Sequence, residues 1–202
     1  IQAVRDKYGI DREYFLYLGT VEPRKNLERL IAAYDQFRQG KTAPPYLVLA
    51  GGKGWLDSGI YKKVEELGLG DLVKFTEYVP DEEICPLMCG ALAFVFPSIY
   101  EGFGLPPLEA MACGVPVLTT HAASLPEVVG EDAVVADPYS PESIAAGLEQ
   151  LYTDEALRQK LREAGPKRAA QFTWERSAEQ LYAVYQEACR ELAEKTADFA
   201  GK

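Results

Sequence analysis

Leu92-Ala93-Phe94-Val95-Phe96-Pro97-Ser98-Ile99-Tyr100-Glu101-Gly102-Phe103-Gly104-Leu105-Pro106-Pro107-Leu108-Glu109-Ala110 reads as a strand, a loop and the start of a helix. Five apolar residues without alternation suit a strand covered on both faces, and Pro97 stops it. Residues 107–113 carry a helical pattern, with Pro107 early and Gly114 just past the end. The loop between them holds Gly102 and Gly104 and runs straight into the helix N-terminus. The backbone N–H groups of Phe103, Gly104 and Leu105 can therefore cradle a phosphate. Two carboxylates, Glu101 and Glu109, flank that loop eight positions apart. A helix opening at Pro107 puts Glu109 at its third position, where a glutamate is favourable with or without a ligand. Glu101 has no such local reason, and a carboxylate beside an anion pocket makes sense if it binds hydroxyls.

Outward from this stretch the same alternation repeats. Tyr14-Phe15-Leu16-Tyr17-Leu18 is a buried strand ending at Gly19, followed by a helix with Leu27, Leu30, Ile31, Tyr34 and Phe37 on one face. Tyr46–Ala50 is a second strand, turned by Gly51-Gly52. Tyr61, Val64 and Leu67 mark a helix that Gly68 and Gly70 stop. Leu72–Phe75 is a third strand, residues 81–89 a short helix, and Val117–Thr119 and Ala133–Val135 the last two strands. Strand–helix alternation of this kind implies a parallel sheet with helices on both faces, whose ligands bind beyond the carboxyl ends of the strands. After about residue 140 the pattern is all helical. Ser140-Pro141-Glu142 opens one helix and Asp154 caps a second. Thr173-Trp174-Glu175 starts a third, with Leu181, Tyr182 and Tyr185 on an apolar face and the chain fraying from Lys195.

The 202 residues carry a formal charge of −10, with 48% apolar and 26% charged residues. These proportions suit one globular domain and exclude a disordered chain. The acidic balance makes general binding to nucleic acid or to an anionic membrane unfavourable, so any anion must be held by a local device. No run of about 18 apolar residues offers a membrane span. The start, Ile1-Gln2-Ala3-Val4-Arg5, is neither an initiator methionine nor a signal peptide, and the chain is expected to be part of a longer one. Of the four cysteines, Cys85 and Cys89 are four apart in a helical pattern, while Cys113 and Cys189 are distant. With His121, the single histidine, remote from them in a loop, buried thiols in a reducing compartment are favoured over a metal site. His121 itself reads as a surface residue rather than a general base.

The strand ends hold the remaining candidates. Gly19-Thr20-Val21-Glu22-Pro23-Arg24-Lys25-Asn26 places two adjacent cations before a helix that Asn26 can cap. From this stretch alone, an anion site and a solvated charge pair stand equally. Gly51-Gly52-Lys53-Gly54 lacks the spacing of the dinucleotide fingerprint and of the P-loop, though its glycines allow close approach to a ligand. Phosphate donors beside a carboxylate suited to hydroxyls point to a ligand with both groups, such as a nucleotide sugar. No Asp-x-Asp exists to hold a divalent ion, so Arg24, Lys25 and the helix dipole must screen a diphosphate.

In combination, GTVEPRKN at 19–26, AGG at 50–52, EGFGLPPLEA at 101–110, AMACGVPVLTT at 110–120, SLPEV at 124–128 and FTWE at 172–175 closely resemble glycosyltransferase family 4. Glu101 to Glu109 matches the E-x7-E motif of its retaining members, and the mannosyltransferase-like members of polysaccharide pathways are the most similar. The resemblance covers residues 1 to about 190. It implies the GT-B fold, two Rossmann-like domains facing across a cleft. This chain is then a single Rossmann-like nucleotide-sugar-binding domain over residues 1–202, the C-terminal half, without the N-terminal acceptor domain. By the same resemblance Lys25 and Arg24 neutralise the donor diphosphate, with Thr20 standing where relatives carry an arginine. Glu101 contacts the donor sugar near the reacting carbon, and Glu109 binds the ribose hydroxyls. Gly102, Phe103, Gly104 and Leu105 lie on the diphosphate and sugar. Val79 and Asp81, in Tyr78-Val79-Pro80-Asp81, hold the base, largely by backbone, and Ser98 and Gly52 line the pocket.

The implied reaction is retaining transfer of a hexose, mannose from GDP-mannose first, to a glycan or lipid-linked acceptor. UDP, glucose and N-acetylglucosamine stay open. No cofactor or metal is expected, no nucleic-acid partner, and a cytoplasmic location with a peripheral seat at the membrane in a full-length enzyme. Two other readings remain: a nucleotide-binding domain inactive on its own, and a glycoside hydrolase using Glu101 and Glu109. The anion-binding loop between the carboxylates speaks against the hydrolase, which has no diphosphate to hold.

Overall fold

The computed structural model describes residues 1–52, 54 and 58–200, so Lys53 of the second strand-end loop lies outside the described residues. The strands are β1 (Tyr14–Leu18), β2 (Tyr46–Ala50), β3 (Val73–Glu77), β4 (Ala93–Val95), β5 (Val117–Thr120) and β6 (Val134–Ala136). They form one sheet in the order β3-β2-β1-β4-β5-β6, with every pairing parallel. The helices are α1 (Gln2–Lys7), α2 (Leu27–Arg38), α3 (Ser58–Glu66), α4 (Asp81–Cys89), α5 (Leu105–Ala112), α6 (Leu125–Val129), α7 (Pro141–Thr153), α8 (Glu155–Ala169) and α9 (Trp174–Ala200).

The unbroken apolar runs explain this layering. Tyr14, Phe15, Leu16 and Tyr17 are fully buried, as are Leu47 to Ala50 and Ala93 to Phe96, because central parallel strands touch helices on both faces. The chain leaves β1 towards β2 in one direction and β4 towards β5 in the other. Right-handed crossovers then put α2 and α5 on opposite faces. α2 packs on α3 and α7, and α5 packs on α6 and α8. Residues Ile1–Ala169 make one compact unit with this core. From Ala170 the chain makes a second unit consisting mainly of α9, along which Trp174, Leu181, Tyr182, Tyr185 and Leu192 are exposed.

The caps at Ser140, Asp154 and Thr173 form as the sequence implies: Ser140 Oγ accepts from Ser143 N at 3.1 Å, Asp154 Oδ1 from Leu157 N at 2.8 Å, and Thr173 Oγ1 from Arg176 N at 3.1 Å. Four expectations are corrected. α9 continues to Ala200, past the fraying expected at Lys195. α5 begins at Leu105, two residues before Pro107, with Gly104 as its N-cap at φ 116°. Asn26 makes no side-chain cap bond; it sits in the left-handed region at φ 62°, and its side chain turns to the β4 loop.

The cysteines are the fourth correction. Cys85, Cys89 and Cys189 are exposed and Cys113 is half-buried. In α4 the core face is taken by Leu87 and Met88, which leaves Cys85 and Cys89 outward. Burial and the neighbouring thiols push the Cys113 thiol up to about 12. His121 is exposed in the loop after β5, as a surface histidine should be.

Candidate active site

β1 and β4 are the adjacent strands at which the strand order reverses, and the loops leaving their carboxyl ends meet there. In a doubly wound sheet this reversal opens a crevice for a ligand. After β1, Pro23 opens a 3-10 turn, Pro23–Lys25, that ends at the left-handed Asn26. After β4, Pro97 to Gly104 lead into α5. Ile99 N donates to Arg24 O at 3.1 Å and stitches the two loops together.

The stitched loops bury a carboxylate between two cations. Lys25 Nζ donates to Glu101 Oε1 at 2.7 Å, and Ser98 Oγ donates to the same oxygen at 2.7 Å. Arg24 Nη1 donates to Glu101 Oε2 at 2.7 Å and Nη2 to Glu22 Oε1 at 2.6 Å. Lys25 and Glu101 are 7% and 9% exposed, so this pairing is screened little by water. The Lys25 ammonium also lies 4.8 Å from the centre of the Phe96 ring. Burial works to raise the Glu101 pKa, but hydrogen bonds from Lys25, Ser98 and Arg24 outweigh it and hold the carboxyl below its usual range. At Arg24, the hydrogen bonds to and charges of Glu101 and Glu22 outweigh desolvation and raise its pKa. Glu101 thus has a structural role that its sequence neighbours do not suggest. Arg24 and Lys25 are balanced in charge by Glu22 and Glu101.

The remaining candidates line the same edge of the sheet. Pro106 and Pro107 lack an N–H, so the first turn of α5 keeps few donors. Leu108 N spends its own on Gly104 O, and the N–H groups of Gly104 and Leu105 make no backbone hydrogen bond among the described residues. Ser124 Oγ lies 3.0 Å from Glu101 O and 2.7 Å from Phe103 O, so its hydroxyl proton fixes the turn that carries Gly102 and Phe103. Glu109 falls in the second turn of α5, beyond the N-terminal positions that favour a glutamate. It makes no side-chain hydrogen bond or ion pair among the described residues, and partial burial raises its pKa.

Val79 is buried and offers a ligand only its backbone, while the side chains of Tyr78 and Asp81 in the same turn are exposed. Asp81 opens α4 together with Glu82 and Glu83, a placement that the helix dipole favours on its own. At the end of β2, a Cβ on Gly51 would lie 2.1 Å from Gly19 O, whereas Gly52 faces open space. Gly51 is therefore a close-approach glycine, as is Gly54, whose Cβ would lie 2.4 Å from Val21 O, and Gly52 is the open one. From the β3 end to the β4 end the edge spans about 14 Å, three strand spacings.

The protein-family model for glycosyl transferases group 1 matches residues 1–168. This chain belongs to that family. It is 43% identical over 172 residues to O-antigen chain mannosyltransferase B of Escherichia coli, an alignment covering 85% of this chain and 45% of that protein. Among solved structures, the sucrose-phosphate synthase of Thermosynechococcus elongatus matches with a TM-score of 0.77 and 29% identity over 95% of this chain and 49% of that one. The C-terminal domain of a glycosyl transferase group 1 family protein, LpcC, from Francisella tularensis matches with a TM-score of 0.72 and 27% identity, over 84% of this chain and 91% of that domain. This chain therefore spans about half the length of the first two.

In this group 1 glycosyltransferase chain, the structure joins Lys25, Arg24, Ser98 and Glu101 by direct bonds and sets Phe103, Gly104 and Leu105 beside them. Glu109, Gly52, Val79 and Asp81 stand apart on neighbouring elements. Two positioning residues escaped the sequence reading. Asn26 Nδ2 donates to Pro97 O at 3.0 Å and Pro138 O at 2.6 Å, and Thr120 Oγ1 donates to Ser98 O at 2.7 Å. Asn26 lay inside a stretch already singled out, but a helix-cap reading hid its long-range role. Among the described residues, no helix is long and apolar enough to cross a membrane.

Proposed function

We propose that this chain is the donor-binding half of a retaining hexosyltransferase that uses a nucleoside-diphosphate sugar, with mannose as the hexose. The observation that carries the reading is the Lys25–Glu101–Arg24 cluster at the strand-order reversal, beside the open N–H groups of Gly104 and Leu105. A diphosphate entering there takes hydrogen bonds from those amides and from the two cations. Glu101, released in part from Arg24 and Lys25, turns to the hydroxyls of the sugar. Glu109, with no side-chain partner among the described residues, is suited to the paired hydroxyls of ribose, and the Tyr78–Asp81 turn to the base. The reach of the sheet edge matches a nucleotide laid from the β3 end to the β4 end. Similarity to an O-antigen mannosyltransferase supports mannose, and the match to a separate C-terminal domain supports the half-enzyme reading.

In the transfer step the glycosidic oxygen leaves with the diphosphate. Negative charge grows on the β-phosphate and positive charge on the sugar ring. Lys25, Arg24 and the N-terminus of α5 stabilise the first, and Glu101 orients the second. No protein group is assigned as a covalent nucleophile; the acceptor hydroxyl attacks from the face that the leaving phosphate vacates and passes its proton to an oxygen of that phosphate. The lysine, the arginine and the helix screen the diphosphate, so the reaction needs no metal. An acceptor, glycan or lipid-linked, is contributed through a second domain, and the enzyme works in the cytoplasm. The open amides of Gly104 and Leu105 between Glu101 and Glu109 speak against a hydrolase, which has no diphosphate to hold.

Calorimetric titration with GDP, UDP and ADP, each with a chelator present, tests this reading. One nucleotide should bind, undiminished by the chelator. Glu109→Ala should weaken it roughly tenfold to a hundredfold, the scale for losing hydrogen bonds to a charged group. Absence of binding by all three, or binding indifferent to Glu109→Ala, contradicts the assignment.

A further inference from the structure

The second cluster of chemical groups in the chain lies away from these loops. α4 ends at Cys89, just before β4 begins, and Cys113 follows the end of α5, just before β5 begins. All three thiols of this cluster therefore gather towards the amino ends of β4 and β5, the edge opposite the candidate active site. Along α5, Cys113 is separated from Gly104 by about 13 Å, at 1.5 Å per residue. Cys85 Sγ lies 3.8 Å from Cys89 Sγ and 4.0 Å from Cys113 Sγ, and all three sulfurs fall within 4.8 Å of one another. Four thiolates at 2.3 Å from a tetrahedral zinc ion are separated by about 3.8 Å along each edge. The observed triangle is close to one face of that tetrahedron.

We propose that Cys85, Cys89 and Cys113 form a binding site for a thiophilic d10 metal ion, zinc(II) foremost, with water as the fourth ligand. Two ligands come from one helix face at positions i and i+4, and the third from a different helix end, so the ion ties α4 to α5. The cluster contains no histidine or carboxylate among the described residues, and an all-thiol set selects soft cations over magnesium or calcium. Exposure of Cys85 and Cys89 provides the entry path and room for water. Its place at the far edge of the sheet makes the site a structural clip, independent of the nucleotide-sugar reading.

The test is a titration of the reduced chain with zinc(II) against a chromophoric chelator, and in parallel with cobalt(II) followed in the near ultraviolet. The expected result is one ion per chain at micromolar affinity or tighter. Thiolate-to-cobalt charge-transfer absorption should appear, and protons should be released as the thiols ligate. Cys85→Ser and Cys113→Ser should each weaken binding more than about tenfold, while Cys189→Ser, on α9, leaves it unchanged. Zinc should raise the unfolding midpoint of the unsubstituted chain and not that of Cys113→Ser. The cobalt spectrum needs no variant, so a substitution that fails to fold does not hide the answer. Binding only at millimolar concentrations, a cobalt complex without thiolate absorption, or affinity that survives both serine variants overturns the proposal. So does a reduced chain that takes no ion while two of these thiols close a disulfide on mild oxidation.

Discussion

Glu101 is a buried anion whose three donors come from two loops, and removing its charge strands Lys25 in a poorly hydrated place. Breaking a buried pair from one side costs about 3 kcal/mol, so Glu101→Gln should lower the unfolding free energy by that amount, read as a fall in the denaturant midpoint. The pH dependence has a definite sign. The Glu101 pKa is lowered in the folded state, so its contribution is complete above the ordinary glutamate value of 4.5 and is lost as pH falls through the folded-state value. Glu101→Gln should flatten that acid limb of the stability curve, and an unchanged limb would show that the pair contributes nothing. Lys25→Ala in the transferring enzyme should cost about 2–4 kcal/mol of transition-state stabilisation, a roughly thirty- to thousandfold fall in kcat/KM. At this scale the sequence shows that Arg24, Lys25, Ser98 and Glu101 sit at strand ends, because strand ends are readable from apolar runs. It does not show that Arg24 and Lys25 bond to Glu101, which is 77 and 76 positions away. Only the order of the strands brings them together.

Among the elements, the loops after β1 and β2 depend on particular backbone conformations. Gly51 has φ 137°, and a Cβ there would meet Gly19 O at 2.1 Å. Gly51→Ala should therefore destabilise the chain by about 2–3 kcal/mol or more. Gly52→Ala should change stability by less than about 0.5 kcal/mol, because its Cβ meets open space, and should instead weaken nucleotide binding. Equal losses of stability from the two substitutions, read by thermal or denaturant unfolding, would refute that distinction. Strands were legible here because burial on both faces leaves an unbroken apolar run. The start of α5 was not: two consecutive prolines fit either the first or the second and third positions of a helix, and only the left-handed Gly104 decides. That shift of two residues removed the ligand-independent explanation for Glu109. α1 and α6 are too short to show a period, and neither was anticipated.

Across the molecule, the six parallel strands place the loops that carry Lys25, Glu101 and Gly104 at one edge and the three-thiol cluster towards the other, with Glu109 along α5 between them. The spacing of Cys113 from Cys85 in the sequence conveys nothing of their approach, which is why buried thiols were expected. α9 carries exposed Trp174, Leu181, Tyr185 and Leu192 at helical spacing, a continuous apolar stripe. Leu181→Glu with Tyr185→Glu should reduce concentration-dependent self-association in sedimentation, and no change would show that the stripe is not adhesive. The central claim is that a nucleoside diphosphate sits at the reversal between β1 and β4. The most direct measurement is a crystal structure of the chain with the nucleotide that calorimetry selects. The diphosphate should lie within hydrogen-bond distance of Lys25 Nζ and of the Gly104 and Leu105 N–H groups, with the ribose on Glu109. A nucleotide bound elsewhere, with the Lys25–Glu101–Arg24 cluster unchanged, would contradict that claim.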